Sequence, residues 1–356
     1  MKSRELDFRG IGAALKEHLC LKKQSHLLAK GDSLEVIKKI PDNSISLILT
    51  DPPYHATKKK NIYGDTLFAK DKEYLDWMAE YAKEWRRILK PNGSLFCYCD
   101  SSMSARLEVL FSEEFNILSH VVWTKPNAPG FDGWKGKMKK ENLRQWYGHS
   151  ERIIFAEPAI EGNLHRSPFG QYLREMRKKS GLSGHQLTEL TGAYGKVNHG
   201  GAVSNWEAGR NTPSREQYDK ICSAIIGTGK VDSMLPYEDV IRPFIMDGSK
   251  EFTDVWNFES VRPYKGKHPA EKPIDMLKHA IEATSYADDI VLDCFGGSGS
   301  TAVAAHALNR KSITIEIEPE WVESIVTRLC ALDSAEGTVS SEDSLETIEL
   351  KQEALF

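Results

Sequence analysis

The chain lacks the features that would place it in a membrane or a secretory pathway. No apolar run approaches the ~20 residues that a spanning helix needs, and the N-terminal MKSRELDFRG is charged with no apolar core, so a secretory signal is not expected. The cysteines, Cys20, Cys97, Cys99, Cys222, Cys294 and Cys330, contain no Cys-x-x-Cys pair and no zinc-ligand spacing. Cys97 and Cys99 sit two apart in an apolar run and on a strand would face the same way, as buried small hydrophobes. A reduced, cytoplasmic compartment is the expectation, with no membrane and no metal. The pattern GxGxxG is missing too, which disfavours a nicotinamide dinucleotide.

A basic balance is also lacking: the net charge is −4 over 356 residues. That sum does not exclude a nucleic-acid partner, because the charge is uneven. From Ala335 onward Glu336, Glu342, Asp343, Glu346, Glu349 and Glu353 stand against Lys351 alone, so the rest of the chain is close to neutral. This segment, 335–356, is acidic, Ser-rich and poor in aromatics, and is expected to be disordered. Basic residues gather at Lys58, Lys59 and Lys60, at Lys135, Lys137, Lys139 and Lys140, and at Arg174, Arg177, Lys178 and Lys179. Any one such cluster is ordinarily a solvated surface. Several of them flanking a candidate site are harder to set aside.

What is present is enough for a protein of two or three parts, with 40% hydrophobic and 28% charged residues. HLLAKGDSLEVIKKI reads as strand, turn at Gly31-Asp32, and helix; SISLILTDPPY reads as an apolar strand running into a rigid turn. EYLDWMAEYAKEWRRILKPNGSLFCYC repeats the alternation, with a helix, a Pro-Asn-Gly turn that stops it, and a buried strand. FNILSHVVWTKPN and ERIIFAEP are further strands. Helix alternating with strand predicts an α/β fold with a mostly parallel, doubly wound sheet. After Pro158 about 60 residues carry helical periodicity almost alone. KPIDMLKHAIEATS, DDIVLDCFGGSGSTAVAAHALNR and KSITIEIEPEWVESIVTRLC then return to the alternation. Residues 1–25 are helical in pattern without a motif.

Two motifs point to chemistry. An apolar strand, Ile290 to Cys294, ends in Phe295-Gly296-Gly297-Ser298-Gly299 and a small-residue helix begins. Glycines there let a ligand approach the backbone, and an acid at the end of the next strand, Glu316, is placed to take the ribose hydroxyls of an adenosine cofactor. A tight strand-to-helix turn with no ligand is the plain alternative. The second motif is Asp51-Pro52-Pro53-Tyr54 after the strand Ile45 to Thr50. It too can be only a turn. Chemically, an amino group conjugated to a base ring is a poor nucleophile. A carboxylate and a backbone carbonyl, its direction fixed by two prolines, can accept its hydrogens and localise the lone pair, while Tyr54 offers a face to an extruded base.

Together, TDPPY early and FGGSG late resemble the beta-class amino-methyltransferases of bacteria and phages, which methylate adenine N6 or cytosine N4 in DNA. The resemblance covers about two-thirds of the chain. It implies a Rossmann-like S-adenosylmethionine-dependent methyltransferase sheet, circularly permuted, whose two motif turns share one crevice. GDSLEVIKKIPDNSI is similar to the family segment whose acid, here Asp32, approaches the cofactor adenine. LKPNGSLF and VVWTKPN resemble its later strands. HPAEKP resembles the segment before the Gly-rich turn, which implies Lys272 near the cofactor's methionine end. The implied cofactor set is Asp32, Lys272, Asp293, Phe295, Gly296, Gly297, Ser298, Gly299 and Glu316. Departures are small: Ser-Gly-Ser replaces the commoner Ser-Gly-Thr, and Cys294 stands where proline is frequent. Family members with Asp at position 51 usually modify adenine and those with Ser usually modify cytosine N4, so adenine N6 in double-stranded DNA is the expected target. An N4-cytosine DNA methyltransferase, a DNA-binding regulator with a vestigial methyltransferase part, or an RNA or protein methyltransferase is the alternative.

Within 168–227, FGQYLREMRKKSGLSGHQLTELTG followed by GGAVSNWEAGRNTPSREQYDKICSAI resembles a helix-turn-helix of the phage-repressor type. Leu173, Leu182, Leu187, Leu190, Val203 and Trp206 are its expected core. Arg174, Lys178, His199, Ser204, Asn205 and Arg210 are its expected DNA contacts. A helical insertion that only packs is the alternative reading. Lys135 to Lys140, with Trp134 and Trp146, would grip phosphate or flank the flipped base, unless they form a solvated loop. The expected division is a DPPY half at 1–157, an inserted recognition region at 158–257, a cofactor half at 258–334, and the tail. The family often dimerises, so a homodimer is one expected state.

Overall fold

The computed structural model describes residues 2–55, 67–126, 144, 146, 148–160, 167–194, 201–246 and 252–335. The lysines at 58–60 and 135–140, Trp134, His199 and the tail beyond Ala335 lie outside the described residues.

In chain order, α1 (Lys2–Ala14) leads into β1 (Leu19–Lys22), β2 (His26–Lys30), α2 (Ser33–Ile37), β3 (Ile45–Thr50), α3 (Asp71–Ile88), β4 (Leu89–Cys99), α4 (Ser104–Phe111), β5 (Phe115–Trp123) and β6 (Glu151–Pro158). A helical unit follows: α5 (Pro168–Ser180), α6 (Gly184–Thr191), α7 (Ala202–Glu207), α8 (Arg215–Ile226) and α9 (Tyr237–Val240). Then come β7 (Val255–Trp256), α10 (Ile274–Thr284), β8 (Ile290–Asp293), α11 (Ser300–Ala307), β9 (Lys311–Glu316) and α12 (Pro319–Ala335).

The strands form one sheet in the order β1-β2-β9-β8-β3-β4-β6-β5-β7. Neighbours from β2 to β4 are all parallel. The expected mostly parallel α/β sheet is therefore present, with β6 reversed between β4 and β5 and β1 reversed at the edge. Its central strands read as unbroken apolar runs because helices cover both faces. In β3, Leu47 and Leu49 pack to one side with Phe96 and Tyr98 of β4 and with Leu277 and Ile281 of α10. Ile48, Cys97 and Cys99 pack to the other with Tyr81 and Trp85 of α3, so the two cysteines do share a face.

Two local expectations are corrected. Pro91-Asn92-Gly93 is no turn between helix and strand: α3 ends at Ile88 and β4 starts at Leu89. Leu89 pairs with Ile45 and Ser94 with Leu47, so Lys90 to Gly93 bulge out of the ladder. The bulge has a use, because Asn92 Nδ2 donates to the carbonyls of Glu238 (2.8 Å) and Ile241 (3.3 Å) and ties the helical unit to the sheet. The second correction concerns Leu190, which is 61% exposed. Leu187, Thr188 and Thr191 are the buried side of α6, and Leu190 falls about 60° beyond the edge of that arc at ~100° per residue. Leu182 packs only at the margin of the helical core, which takes Tyr218, Ile221 and Ile225 of α8 instead.

The helical unit is held locally by serine caps, with capping boxes Ser183/Gln186 and Ser214/Gln217. Arg177 of α5 grips Glu207 of α7 through two bonds (2.5 and 3.0 Å). The crossing is close: a Cβ at Gly170 would lie 2.7 Å from the carbonyl oxygen of Trp206 and 2.8 Å from that of Glu207. Gly170→Ala is therefore expected to pry α5 from α7 at a cost of about 2 kcal/mol. Limited proteolysis should show cleavage inside 168–227 with the sheet still protected. Wild-type resistance in the variant would refute this.

Candidate active site

Parallel pairing of β3 with β8, at Leu47–Val291 and Ile48–Leu292, brings two loops 240 residues apart to one edge of the sheet. Thr50 Oγ1 donates to Asp293 Oδ1 (3.1 Å) and accepts from the Cys294 N–H (3.1 Å), locking the strand ends together. Beyond them opens a cleft of about 420 Å³, within the range of small-molecule sites. Such crevices at the carboxyl ends of parallel strands are where ligands bind in open α/β sheets.

One end of the cleft is the Gly-rich turn. Gly296 backs onto β9, where a Cβ would lie 2.5 Å from Thr314 Cγ2. Gly297 adopts φ +49° and a Cβ there would meet the His268 ring at 3.0 Å, so a side chain would be strained and would narrow the cleft. Glu316 fixes the turn: its Oε2 accepts from the Gly297 N–H (2.6 Å) and its Oε1 from the N–H groups of Ile317 and Glu318 (2.8 Å each). Burial pushes the Glu316 carboxyl up against those bonds. Asp32 lines the same end while capping α2 through the Leu34 and Glu35 N–H groups. Phe295 leans on Trp77 and Tyr81.

Asp293 sits beneath, accepting from Thr301 Oγ1 (2.7 Å), Thr50 Oγ1 and the Phe295 N–H (3.1 Å). Burial pushes its carboxyl up to about 7 in spite of those bonds. A carboxyl raised in the folded state holds its proton more tightly there than in the unfolded chain. Its contribution to stability is full below about pH 4 and is lost as the pH rises through about 7. Asp293→Asn should remove that dependence, on the order of 4 kcal/mol across the window. Denaturant unfolding of the two proteins at pH 5 and pH 8 checks this, and parallel pH responses would contradict it.

The other end is a cluster of charges. Lys272, in the segment before α10, makes an ion pair with Asp51 Oδ2 and stands 3.7 Å from Glu151 Oε2. Tyr54 places its one hydroxyl proton between Asp51 Oδ1 (2.6 Å) and Glu151 Oε2 (3.1 Å). Lys125 pairs with Glu151 Oε1 and covers the Trp123 ring at 4.6 Å. Burial, with Glu151, holds the Asp51 carboxyl above its usual range although Lys272 pulls it back, while burial pulls Lys272 down but Asp51 and Glu151 hold the ammonium above its usual range. Glu151 is pushed up by burial and drawn below the usual carboxylate range by Lys272 and Lys125.

The cleft thus gathers Asp51, Pro52, Pro53 and Tyr54 with Asp32, Lys272, Asp293, Phe295, Gly296, Gly297, Ser298 and Glu316. Gly299 stays behind the wall, against Ile325 of α12. Lys272 lines the cleft, and its ammonium is engaged by Asp51. Of the expected DNA-contact residues, those among the described residues do not line the cleft. Arg174 leans on Glu207 (3.4 Å), Lys178 is exposed, Ser204 is exposed with its hydroxyl on the Gly201 carbonyl (3.0 Å), and Arg210 donates to Asn205 Oδ1 (3.3 Å). Trp146 stands 96% exposed. Sequence reasoning missed Glu151 and Lys125. No local signal marks them, because their meeting rests on the antiparallel pairing of β5 with β6, which sets Trp123 against Glu151.

Comparison with known proteins gives the family and the fold. The model of a family described as DNA methylase matches residues 45–327. The chain is 26% identical over 315 residues to the Type II methyltransferase M.BglII of Bacillus subtilis, covering 85% of this chain and 68% of that one. It is 25% identical over 309 residues to the DNA adenine methyltransferase YhdJ of Escherichia coli (strain K12), covering 86% and 83%. Among solved structures, the PvuII DNA methyltransferase (cytosine-N4-specific) superposes with a TM-score of 0.52 at 19% identity, covering 87% of this chain and 88% of that one, and shares its fold.

Proposed function

The chain belongs to the N6/N4 DNA methylase family, and from that premise we propose that it methylates N6 of adenine in double-stranded DNA after flipping the base out of the stack. The observation that carries the reading is the opening of Asp51-Pro52-Pro53-Tyr54 into the same cleft as the Gly-rich turn. Aspartate rather than serine at position 51 favours adenine.

Bound S-adenosylmethionine supplies an electrophilic methyl group. The residues present fit it. Gly296 and Gly297 leave bare backbone where a Cβ would intrude, Glu316 keeps one lone pair, on Oε2, for a ribose hydroxyl, and the buried Asp293 carboxylate gains from the cationic groups such a cofactor carries. At the other end Asp51 and the Pro52 carbonyl accept the hydrogens of the base amino group and direct its lone pair. The Tyr54 ring closes over the base, and the walls of the cleft exclude water. The work is chiefly positioning and oriented hydrogen bonding. The helical unit α5–α8 is proposed to choose the target sequence, with α7 presenting Ser204, Asn205 and the nearby Arg210 to a major groove.

The test is incubation with methyl-labelled S-adenosylmethionine and mixed-sequence plasmid DNA, followed by digestion to nucleosides. Label is expected in N6-methyladenine. Label in N4-methylcytosine would overturn the base assignment, and none in any DNA would overturn the reaction.

A further inference from the structure

Resting on that reading of the site, we propose that Lys272 is a positioning residue for methyl transfer: its ammonium, lodged between Asp51 and Glu151, keeps the Asp51 carboxylate charged and aimed to accept hydrogen from the substrate amino group.

Apart from the Ala270 carbonyl, the polar contacts given for Lys272 among the described residues all lie in this cluster. Its side chain is buried, its Nζ donates to Asp51 and to the Ala270 carbonyl (3.3 Å), and it lies over the rings of Tyr98 (5.0 Å) and Tyr54 (5.6 Å). Two carboxylates, Asp51 and Glu151, face two ammoniums, Lys272 and Lys125, and the four charges cancel. A neutral cluster accepts a neutral amine without a further charge to compensate. Were Lys272 to swing toward a cofactor carboxylate, Asp51 and Glu151 would share a buried site with only Lys125 on the far side of Glu151. Two carboxylates so placed cannot both stay ionised, and one takes a proton. A protonated Asp51 donates where it must accept.

Among the described residues, the other titratable groups facing the cluster are Tyr54, Cys97, Tyr98 and Cys99 from the β3–β4 side, Asp293 from β8, and His268 from the segment before α10. Burial holds Tyr54, Cys97, Tyr98, Cys99 and His268 neutral. The charge on Asp51 is then set by Lys272 against Glu151. Burial pushes Asp51 up, Lys272 draws it down and Glu151 adds to the push, so the two neighbours act in opposite directions.

That opposition supplies the test. In protein labelled with ¹³C at aspartate carboxyls, the Asp51 resonance is assigned by its loss in Asp51→Asn, and its midpoint is followed with pH. Lys272→Met should raise the midpoint by about one unit or more, Lys272→Arg should return it toward wild type, and Glu151→Gln should lower it. The acid limb of the methylation rate should move with the resonance in each variant. Unchanged midpoints, or shifts of the same sign in Lys272→Met and Glu151→Gln, would overturn the proposal. Because the resonance is read without turnover, midpoints that shift as expected in a protein that methylates no DNA would support the Lys272–Asp51 linkage and overturn the reaction reading instead.

Discussion

Asp51→Asn is expected to slow methyl transfer by about 10³-fold, the scale of losing one oriented acceptor at a reacting centre, with cofactor affinity unchanged within about twofold. Asparagine keeps the shape of the side chain and one carbonyl oxygen. It replaces the other oxygen with an NH₂ group that carries two donors. Lys272 donates to Asp51 Oδ2 and Tyr54 lies at Oδ1. Turned one way, the amide NH₂ faces the Lys272 ammonium; turned the other, it meets Tyr54, which can accept by donating to Glu151, and the single oxygen left is held by Lys272. The amine then loses the acceptor that localises its lone pair. The Gly-rich turn, Glu316 and Asp293 are untouched, so the cofactor should bind as before. Single-turnover rates with labelled cofactor, set beside calorimetric binding, decide the matter. A loss smaller than tenfold would move the acceptor role away from Asp51.

Glu316→Ala should produce the complementary loss, weakening S-adenosylmethionine binding by about 10²-fold or more while leaving DNA affinity intact. Its carboxylate accepts three backbone N–H groups, one from the Gly-rich turn and two from the chain leaving β9. Each donor deprived of its partner in a part-buried wall costs roughly 1–3 kcal/mol. The turn also loses the strut that holds Gly297 in place. Removing the ribose acceptor adds to this. Glu316→Gln, which keeps one acceptor oxygen, should lie between wild type and alanine. Cofactor affinity within about threefold of wild type in Glu316→Ala would show that the acid is not part of the binding surface.

The two loops that open into the cleft are legible in the sequence because each is punctuated locally. Asp-Pro-Pro-Tyr ends an apolar strand with two fixed φ angles, and Phe-Gly-Gly-Ser-Gly ends another with residues that tolerate close approach. The helices α5 to α8 are legible for a similar reason, since Ser183 and Ser214 announce their own starts. Glu151 and Lys125 are not legible. Their meeting with Asp51 depends on β6 running backwards between β4 and β5, and sheet order is not written in any one segment. The type of Leu190 predicts a core position, whereas Leu187, Thr188 and Thr191 set the inward arc of α6. Pro91-Asn92-Gly93 carries the composition of a turn, and only its pairing partners on β3 show it to be a bulge. The half-buried four-residue β1 is too short for its alternation to register.

The sheet order also has a consequence for how the protein is made. β2 and β3 follow one another in the chain, yet β9 and β8 lie between them in the sheet. On the ribosome, the first two emerge long before residues 290–316 are synthesised. Until then each shows an open, apolar edge facing a gap two strands wide, the kind of edge that pairs wrongly and folds slowly. The last two strands enter as a wedge, and their arrival closes the sheet and sets the Gly-rich turn beside Asp51. A chain halted before β8 therefore carries Asp51 to Tyr54 without the other wall of the cleft.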